Sequence, residues 1–561
     1  MMTRVTPRVL NSVFIILILL FILFSLAPAF YEISRTGDLH PERQFELVHN
    51  FPTDYNFYLS RIREGLEGRW TVVEKYTSEP HAGSFMHEFY LLMGQVGRFV
   101  RVPLHRAGDI YHIARIVLGA VLLTVIAGFC SRSFSGRRQE LVLPGGIVAF
   151  LLAVTASSFP KLVAVIDNQV IPATFENVMN WRFGGYMAWW SMMDSLQRIT
   201  FIPHILVGQA LIVLMVLGLV TGSLFRTTAH ALFFGVAAFV LGSVFPPGLI
   251  FVYAVYGVWG LSSFNRFKEW RIPMTVVALV SAPSLLQLAL MTSFYPWKRL
   301  AEVDIIRPLP FTYDEYVRAM GPILPLGLAG LVAAFIRNER RLLPAVSWIL
   351  AWILLLVVFS FIPQQSPLRF SEMAPQVPLA VLTAYLLGLI SRPRVLGTWL
   401  AAILIGAGLI HMHSSYLWQR DFVDHKIRAT LPLVPTGSFV MYPLKDFLNA
   451  MWYIHDQTKG EGVVLSGTTA GNYIPVISGN TVYVGHDNTV AFEAKKELVK
   501  TFFAGRMPVD QAQGFVRQAR ASFVFFGPQE REDGGLTDLN RMYPFLTEAY
   551  KNAYVTVYKT P

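Results

Sequence analysis

"VLNSVFIILILLFILFSLAPAF" (residues 9–30) is an uncharged apolar run preceded only by Arg4 and Arg8. At about 1.5 Å per residue in a helix it is long enough to cross a hydrocarbon core of roughly 30 Å. The Ala-Pro-Ala near its end hints at a cleavable signal. The run exceeds the apolar core of about 7–15 residues that a signal peptide carries, so a retained membrane anchor is expected.

The remainder of the chain repeats this pattern. Of 561 residues, 53% are hydrophobic and only 15% charged, the profile of a polytopic membrane protein with aqueous segments attached, not of a soluble enzyme. Further apolar segments lie at about 112–130, 141–166, 201–222, 229–245, 247–264, 272–294, 319–336, 343–362, 375–390 and 395–413, giving about eleven transmembrane helices. The net charge of +11 is read as span orientation and not as nucleic-acid binding. With the N-terminus inside, Arg132, Arg137, Arg138, Arg226, Arg266, Lys268, Arg271, Arg337, Arg340, Arg341, Arg392 and Arg394 all fall in inside loops, opposed only by Glu140, Glu269 and Glu339. Around Pro246 and Pro247 two short spans or one broken hairpin give the same topology. The single Cys130 excludes an internal disulfide framework and any Cys-based zinc or iron–sulfur site.

This orientation sends three large segments outward: 31–111, 167–200 with the 295–318 loop, and everything from about 415. Inside loops are too short for an active site. ATP and nucleotide sugars are not normally supplied outside, so a transfer reaction there needs a substrate that carries its energy in a lipid. The expected division is 1–414, membrane domain including the first outward loop, and 415–561, an extracytoplasmic α/β domain of about 147 residues. In the latter, "EGVVLSG" (461–467), "NTVYVGH" (480–486), "ASFVFFG" (521–527) and "AYVTVYK" (553–559) read as strands. "AFEAKKELVKTFFAGR" and "PVDQAQGFVRQAR" read as amphipathic helices. The turn "SGTTAGN", before a helix starting near Tyr473, lacks the spacing and Lys of a Walker loop and reads as a plain strand-to-helix turn.

In "NFPTDYNFYLSRIREGLEGRW" (50–70), Tyr55, Leu59, Ile62 and Leu66 form one apolar helical stripe, and Asp54, Tyr58 and Arg61 a second line about 100° away. The spacing predicts a helix in the membrane interface, its polar line open to water and Trp70 at headgroup depth. Asp54, or Thr53, also fits the N-cap of that helix, a role compatible with catalysis.

The layout of a first span, an outward loop with an acid near its start, about eleven spans and an outward α/β domain resembles the GT-C superfamily of glycosyltransferases. Protein O-mannosyltransferases, aminoarabinose transferases and the catalytic subunits of oligosaccharyltransferases share this plan. "DYNFYLSRIREGLEG", "RRL" before a span, "RFSEMAPQVPLAVL" and "GNYIPVISGNTVYVGH" resemble segments of bacterial membrane proteins assigned to it. The resemblance implies transfer of a sugar from a polyprenyl-phosphate or diphosphate donor, at the outer face of the plasma (inner) membrane, to a glycan, lipid or protein acceptor. It maps the loop acid onto Asp54 as general base of an inverting single displacement. Members often carry two adjacent acids, whereas Tyr55 follows Asp54. Glu79 is the second choice, with Asp167, Glu176 and Asp194 behind it.

The leaving phosphate needs fixed cations. Arg61 and Arg369 are best placed, then Arg198, Lys298 and Arg299, although an Arg near a span end can also snorkel to headgroups. His204 either hydrogen-bonds a phosphate or is a satisfied buried histidine. His81, His87 and Glu88 lack the second His of a zinc-protease helix, and packing roles are expected for His87 and Glu88. Oligosaccharyltransferase-like members use a divalent ion. No compelling ligand set stands out in this chain, so metal dependence stays open and no cofactor is assigned. The rival readings are a transporter or flippase of a lipid-linked or amphiphilic substrate, against which the nearly charge-free span centres and unmatched halves argue, and a catalytically silent scaffold of the same fold.

Overall fold

The computed structural model describes all residues except 1–6, 136–140, 142, 167–168, 188–189, 307–310, 363–365, 391–393 and 436–440. Arg4, Arg137, Arg138, Glu140, Asp167 and Arg392, named above, lie outside the described residues.

Along the chain α1 (Pro7–Ser34) is followed by α2 (Pro52–Leu66), α3 (Glu88–Phe99), α4 (Ala107–Ser133) and α5 (Gly145–Thr155). Three short strands come next: β1 (Lys161–Ile166), β2 (Gln169–Pro172) and β3 (Trp181–Gly184). Helices α6 (Pro203–Thr221), α7 (Thr228–Val244), α8 (Pro246–Ser262), α9 (Phe267–Met291) and α10 (Lys298–Ile306) then run in succession. They lead to α11 (Tyr313–Met320), α12 (Ile323–Ile336), α13 (Leu343–Phe359), the single turn α14 (Leu368–Ser371), α15 (Gln376–Ile390) and α16 (Arg394–Ile427). The last part alternates as α17 (Lys445–Thr458), β4 (Val463–Leu465), α18 (Thr468–Ile477), β5 (Thr481–Val482), α19 (Phe492–Phe503) and α20 (Val509–Gln518). It closes with β6 (Ala521–Phe526), α21 (Pro528–Gly534), β7 (Thr547–Lys551) and β8 (Thr556–Lys559).

The chain packs as two units. Met1–Pro28, Ile113–Ala289 and Asp304–Asp421 form the first, and Ala29–His112, Leu290–Val303 and Phe422–Pro561 the second. The first outward loop, grouped with the membrane segment in the sequence reading, therefore packs with the C-terminal segment.

Each predicted apolar segment contains a helix. Among the described residues six helices are long and apolar enough to cross a membrane alone, and α11 with α12 makes one further pair, bent by 82°. α5, α7, α8 and α15 are shorter apolar helices. In the first unit α15 is buried along nearly its whole length and packs on α5 and α12, while α13 lies on α8. The helix spanning Phe264–Met291 has a mean hydropathy of 1.9, yet only 17% of its apolar window is buried by protein. Such a surface is unstable in water and calls for lipid, so the chain is an integral membrane protein. The segment 141–166 departs from expectation. Its helix stops at Thr155, and after Pro160 the chain turns extended as β1, paired antiparallel with β2 and β3.

The second unit is built on a five-stranded sheet of order β5-β4-β6-β8-β7. The three N-terminal strands are parallel, Val464 pairing with Val482 and Phe523, and β8 runs antiparallel between β6 and β7. Alternation along β6 divides the core. Phe523 and Phe525 face Phe447, Met451 and Ile474 of α17 and α18, whereas Val524 and Phe526 face Phe502, Phe503 and Val516 of α19 and α20. All four predicted strands are present. β7 escaped prediction because its sequence TEAYK is a largely exposed edge.

Helix α2 is not an interfacial helix. Every residue from Leu59 to Leu66 is buried within the second unit. The apolar stripe meets α3, where Gly65 and Gly94 touch; a Cβ on Gly65 would lie 2.1 Å from the Leu91 carbonyl oxygen, so only glycine permits this approach. The polar side is buried because its charges are paired. Arg61 bonds Glu74 at 2.6 Å with both side chains sealed, and Arg63 bonds Glu67 at 2.8 Å. Arg63 also donates to the carbonyls of Val476, Ile477 and Ser478, the free C-terminal acceptors of α18.

Candidate functional site

β4, β5 and β6 point their carboxyl ends the same way. The chain leaves β4 through α18 to reach β5 on one side, then returns through α19 and α20 to β6 on the other. The crevice beyond β4 and β6 is thus a topological switch point, where open α/β sheets bind ligands. A cavity of about 170 Å³ lies there, lined by Thr468, Thr469 and Asn472 from α18, His486 and Asp487 after β5, and Gln529 after β6, with Pro52 and Thr53 of α2.

α18 and α2 both begin at this cavity and run side by side. The Asn56 amide donates to Asn472 Oδ1 at 2.8 Å, and Asn472 Nδ2 donates to the Thr53 carbonyl at 3.1 Å. The start of α18 is closed from within. Gly467 N–H donates to Glu530 Oε1 at 2.7 Å, Gly527 N–H to Glu530 Oε2 at 3.0 Å, and Thr469 N–H to Gln529 Oε1 at 3.0 Å. "SGTTAGN" is therefore a strand-to-helix turn capped by the protein's own carboxylate, and its helix begins at Thr468, not near Tyr473. Burial pushes Glu530 up to about 7 against the opposing pull of those amides.

The start of α2 is open. Its N-cap is Phe51 and no side chain caps it, so neither Thr53 nor Asp54 fills that role. Asp54 sits in the first turn with its carboxylate 46% exposed, and His486 Nε2 lies 3.4 Å from its Oδ1. The Asn488 N–H donates to His486 Nδ1, which leaves the proton on Nε2, facing Asp54. Three features hold the imidazole. It stacks on Phe57 at 4.6 Å between centroids, and the Arg61 guanidinium covers that ring from 4.1 Å. Asp54, Phe57 and Arg61 recur at i, i+3 and i+7 on one helical line. The backbone before His486 is fixed by glycine against glycine, since a Cβ on Gly471 would fall 2.0 Å from the Val484 carbonyl oxygen.

The other sequence candidates are dispersed. Arg61, expected at the outer surface, is 0% exposed and committed to Glu74, because a guanidinium removed from water requires a carboxylate partner. Glu79 is bound by Lys495 and Thr77; burial raises its carboxyl, but these bonds hold it below the usual range. Arg299 donates to the Asp487 carbonyl at 3.1 Å and so braces the loop that carries His486. Lys298, half exposed, lies near Glu302 and over Tyr295.

In the first unit Arg198 donates to the carbonyls of Val154 at 2.8 Å and Ala156 at 2.6 Å, closing the end of α5. Arg369 is half-buried on α14, and His204 stands in the first turn of α6, 6.5 Å from the Phe245 ring. Asp194 accepts the Leu196 and Gln197 amides, and Glu176 is exposed. His81 accepts the Glu74 N–H and donates to the Glu79 carbonyl, while His87 packs on Phe57 and Glu88 opens α3. Among the described residues no three His, Cys, Asp or Glu side chains converge as ligands for a metal ion, so no resident ion is assigned.

Sequence reasoning did not single out His486, Asp487, Asn472 or Gln529. The signal for the first and third was present, since both lie in "GNYIPVISGNTVYVGH".

This arrangement of apolar helices and an α/β unit has a counterpart among solved structures. Superposed on the Archaeoglobus fulgidus oligosaccharyltransferase tethered with an acceptor peptide containing the NVT sequon, it gives a TM-score of 0.53 over 98% of this chain and 74% of that one. The apo form of that enzyme gives 0.52 over the same shares. Identity is 12% in both, so the likeness is one of fold. No protein-family model and no curated protein matches the sequence.

Proposed function

We propose that the chain is a membrane glycosyltransferase. It moves a sugar from a polyprenyl-phosphate or diphosphate donor to an acceptor on the extracytoplasmic face of the plasma membrane. The observation that carries this reading is the half-exposed Asp54 carboxylate, paired with His486 beside the switch-point cavity. The fold shared with an enzyme whose structure holds an acceptor peptide supports it.

The acceptor, a protein, lipid or glycan bearing a hydroxyl or amine, docks in the crevice lined by Asn472, His486 and Gln529. Asp54 takes its proton as the acceptor atom attacks the anomeric carbon. The bond from that carbon to the donor phosphate oxygen breaks in the same displacement, the configuration inverts, and the phosphate leaves with the bonding pair. His486 holds the carboxylate in position through its Nε2 hydrogen. Arg299 and Lys298 are the cations assigned to the leaving phosphate; Arg61 and Glu79 hold the scaffold.

The test supplies purified protein with labelled polyprenyl-phosphate sugars and membrane extract. General-base removal is worth about 10²–10⁴-fold, and Asp54→Asn is expected to lose transfer by that factor with an unchanged melting curve. Full transfer by the variant overturns the assignment.

A further inference from the structure

In the first unit two cavities meet. One, of about 150 Å³, is lined by apolar side chains of α5, α12 and α16, among them Leu152, Ile323, Leu404, Ala407 and Ile410. The other, of about 270 Å³, is lined by Tyr186, Asp194, Gln197, Ser415, Trp418 and Gln419. Ser157, Ser158, Phe183 and His411 border both, which makes them the greasy and polar halves of one space.

Two broken helices create it. α5 ends at Thr155, and the α11–α12 pair bends by 82° around Gly321 and Pro322. Gly321 has φ +65°, and a Cβ there would fall 2.0 Å from the Ser157 carbonyl oxygen, so the bend is pressed directly onto the end of α5. Irregular backbone inside a membrane helix bundle persists only where protein buries it or where it lines a cavity.

His411 of α16 is the second observation. It is 9% exposed, and its Nε2 has no hydrogen-bond partner among the described residues. Leaving such an atom unpaired is unfavourable, and a bound hydroxyl removes that cost. The remaining polar lining is hydroxyls, amides and aromatic rings around one carboxylate. Among the described residues no Lys or Arg lines either half; Arg198 is turned to the end of α5, and Lys161 and Arg318 lie over the Tyr186 ring, 6.0 and 5.6 Å from its centroid. A phosphate would need such a cation, whereas an uncharged ring of hydroxyls matches rings and neutral donors.

We propose that this cavity binds one glycolipid-like amphiphile, its uncharged sugar against His411 and Trp418 and its hydrocarbon chain along Leu404 and Ala407. The site is complete within the first unit and stands independently of the chemistry assigned to Asp54.

The test uses the full chain in lipid nanodiscs with a decyl glucoside carrying a photoreactive diazirine in its chain. Label is expected on the peptide containing Leu404–His411, displaced by plain decyl glucoside but not by decyl phosphate or decanol at equal concentration. Ala407→Trp, which fills the apolar half, lowers labelling about tenfold. His411→Phe, which keeps a ring without nitrogens, weakens glucoside competition about fivefold and leaves decanol unchanged. Leu232→Trp, on an exposed face of α7, leaves labelling unaltered. Equal displacement by decyl phosphate or decanol in the parent protein overturns the proposal, whether or not the variants fold. So does undiminished labelling of a folded Ala407→Trp.

Discussion

Two helices of the second unit begin side by side, and their first turns are finished in opposite ways. At α18 a carboxyl group from the first turn of α21, Glu530, is driven into the turn, satisfies the Gly467 amide there and the Gly527 amide of its own helix, and is sealed from solvent. At α2 the helix's own carboxylate, Asp54, is left half exposed with a single imidazole beside it. Both positions favour negative charge through the helix dipole. The difference is access: the sealed acid has spent its lone pairs on the fold, and the open one keeps them for something that arrives.

The largest effect that could break this contrast is on activity. Asp54→Asn should lose sugar transfer by the factor given above, whereas Glu530→Gln should keep transfer wherever the protein is folded. Loss of transfer by a well-folded Glu530→Gln would erase the distinction between the two turns.

The next effect is on stability. Glu530 holds its proton up to about 7, above its ordinary value of 4.5, so the native state binds more protons than the unfolded chain between those values. Its contribution is present below about pH 4.5 and is lost as pH rises through about 7, by on the order of 3 kcal/mol. Thermal unfolding followed from about pH 5 to about pH 8 should therefore decline less steeply in Glu530→Gln than in the parent.

Gly485→Ala sharpens the comparison from the imidazole side. Its Cβ would meet the Gly471 carbonyl oxygen at 2.3 Å. Overpacking of this kind costs about 1–3 kcal/mol, and it should displace His486, visible as a fall in transfer at a temperature where the variant is still folded. The smallest effect is expected at Glu79, 38% exposed and tied to Lys495. Glu79→Gln should change transfer by less than about threefold, and a larger loss would return this residue to the chemistry.

Much of this was legible in the sequence. Uncharged runs located the apolar helices, because lipid rewards composition regardless of partner, and β-branched runs located four strands. The limit appears at α2. Its periodicity predicted an exposed polar line, but partners distant in sequence decide burial. Glu74 draws Arg61 inward, and the carbonyls after Val476 draw in Arg63, which no local pattern reveals. His486 was hidden for the same reason: it belongs to Asp54 only after β5 and α18 have brought residues 432 positions apart into contact.

The second unit is assembled from three stretches of chain separated by the apolar helices. Its early piece is therefore made long before the strands that will enclose it have been synthesised. Until α18 arrives, the guanidinium of Arg63 has no carbonyls to meet and the charged face of α2 must remain hydrated. Maturation is then gated by the last segment synthesised. A ribosome halted before residue 460 would leave the first loop sensitive to proteases, and release of the full chain would protect it in a single step.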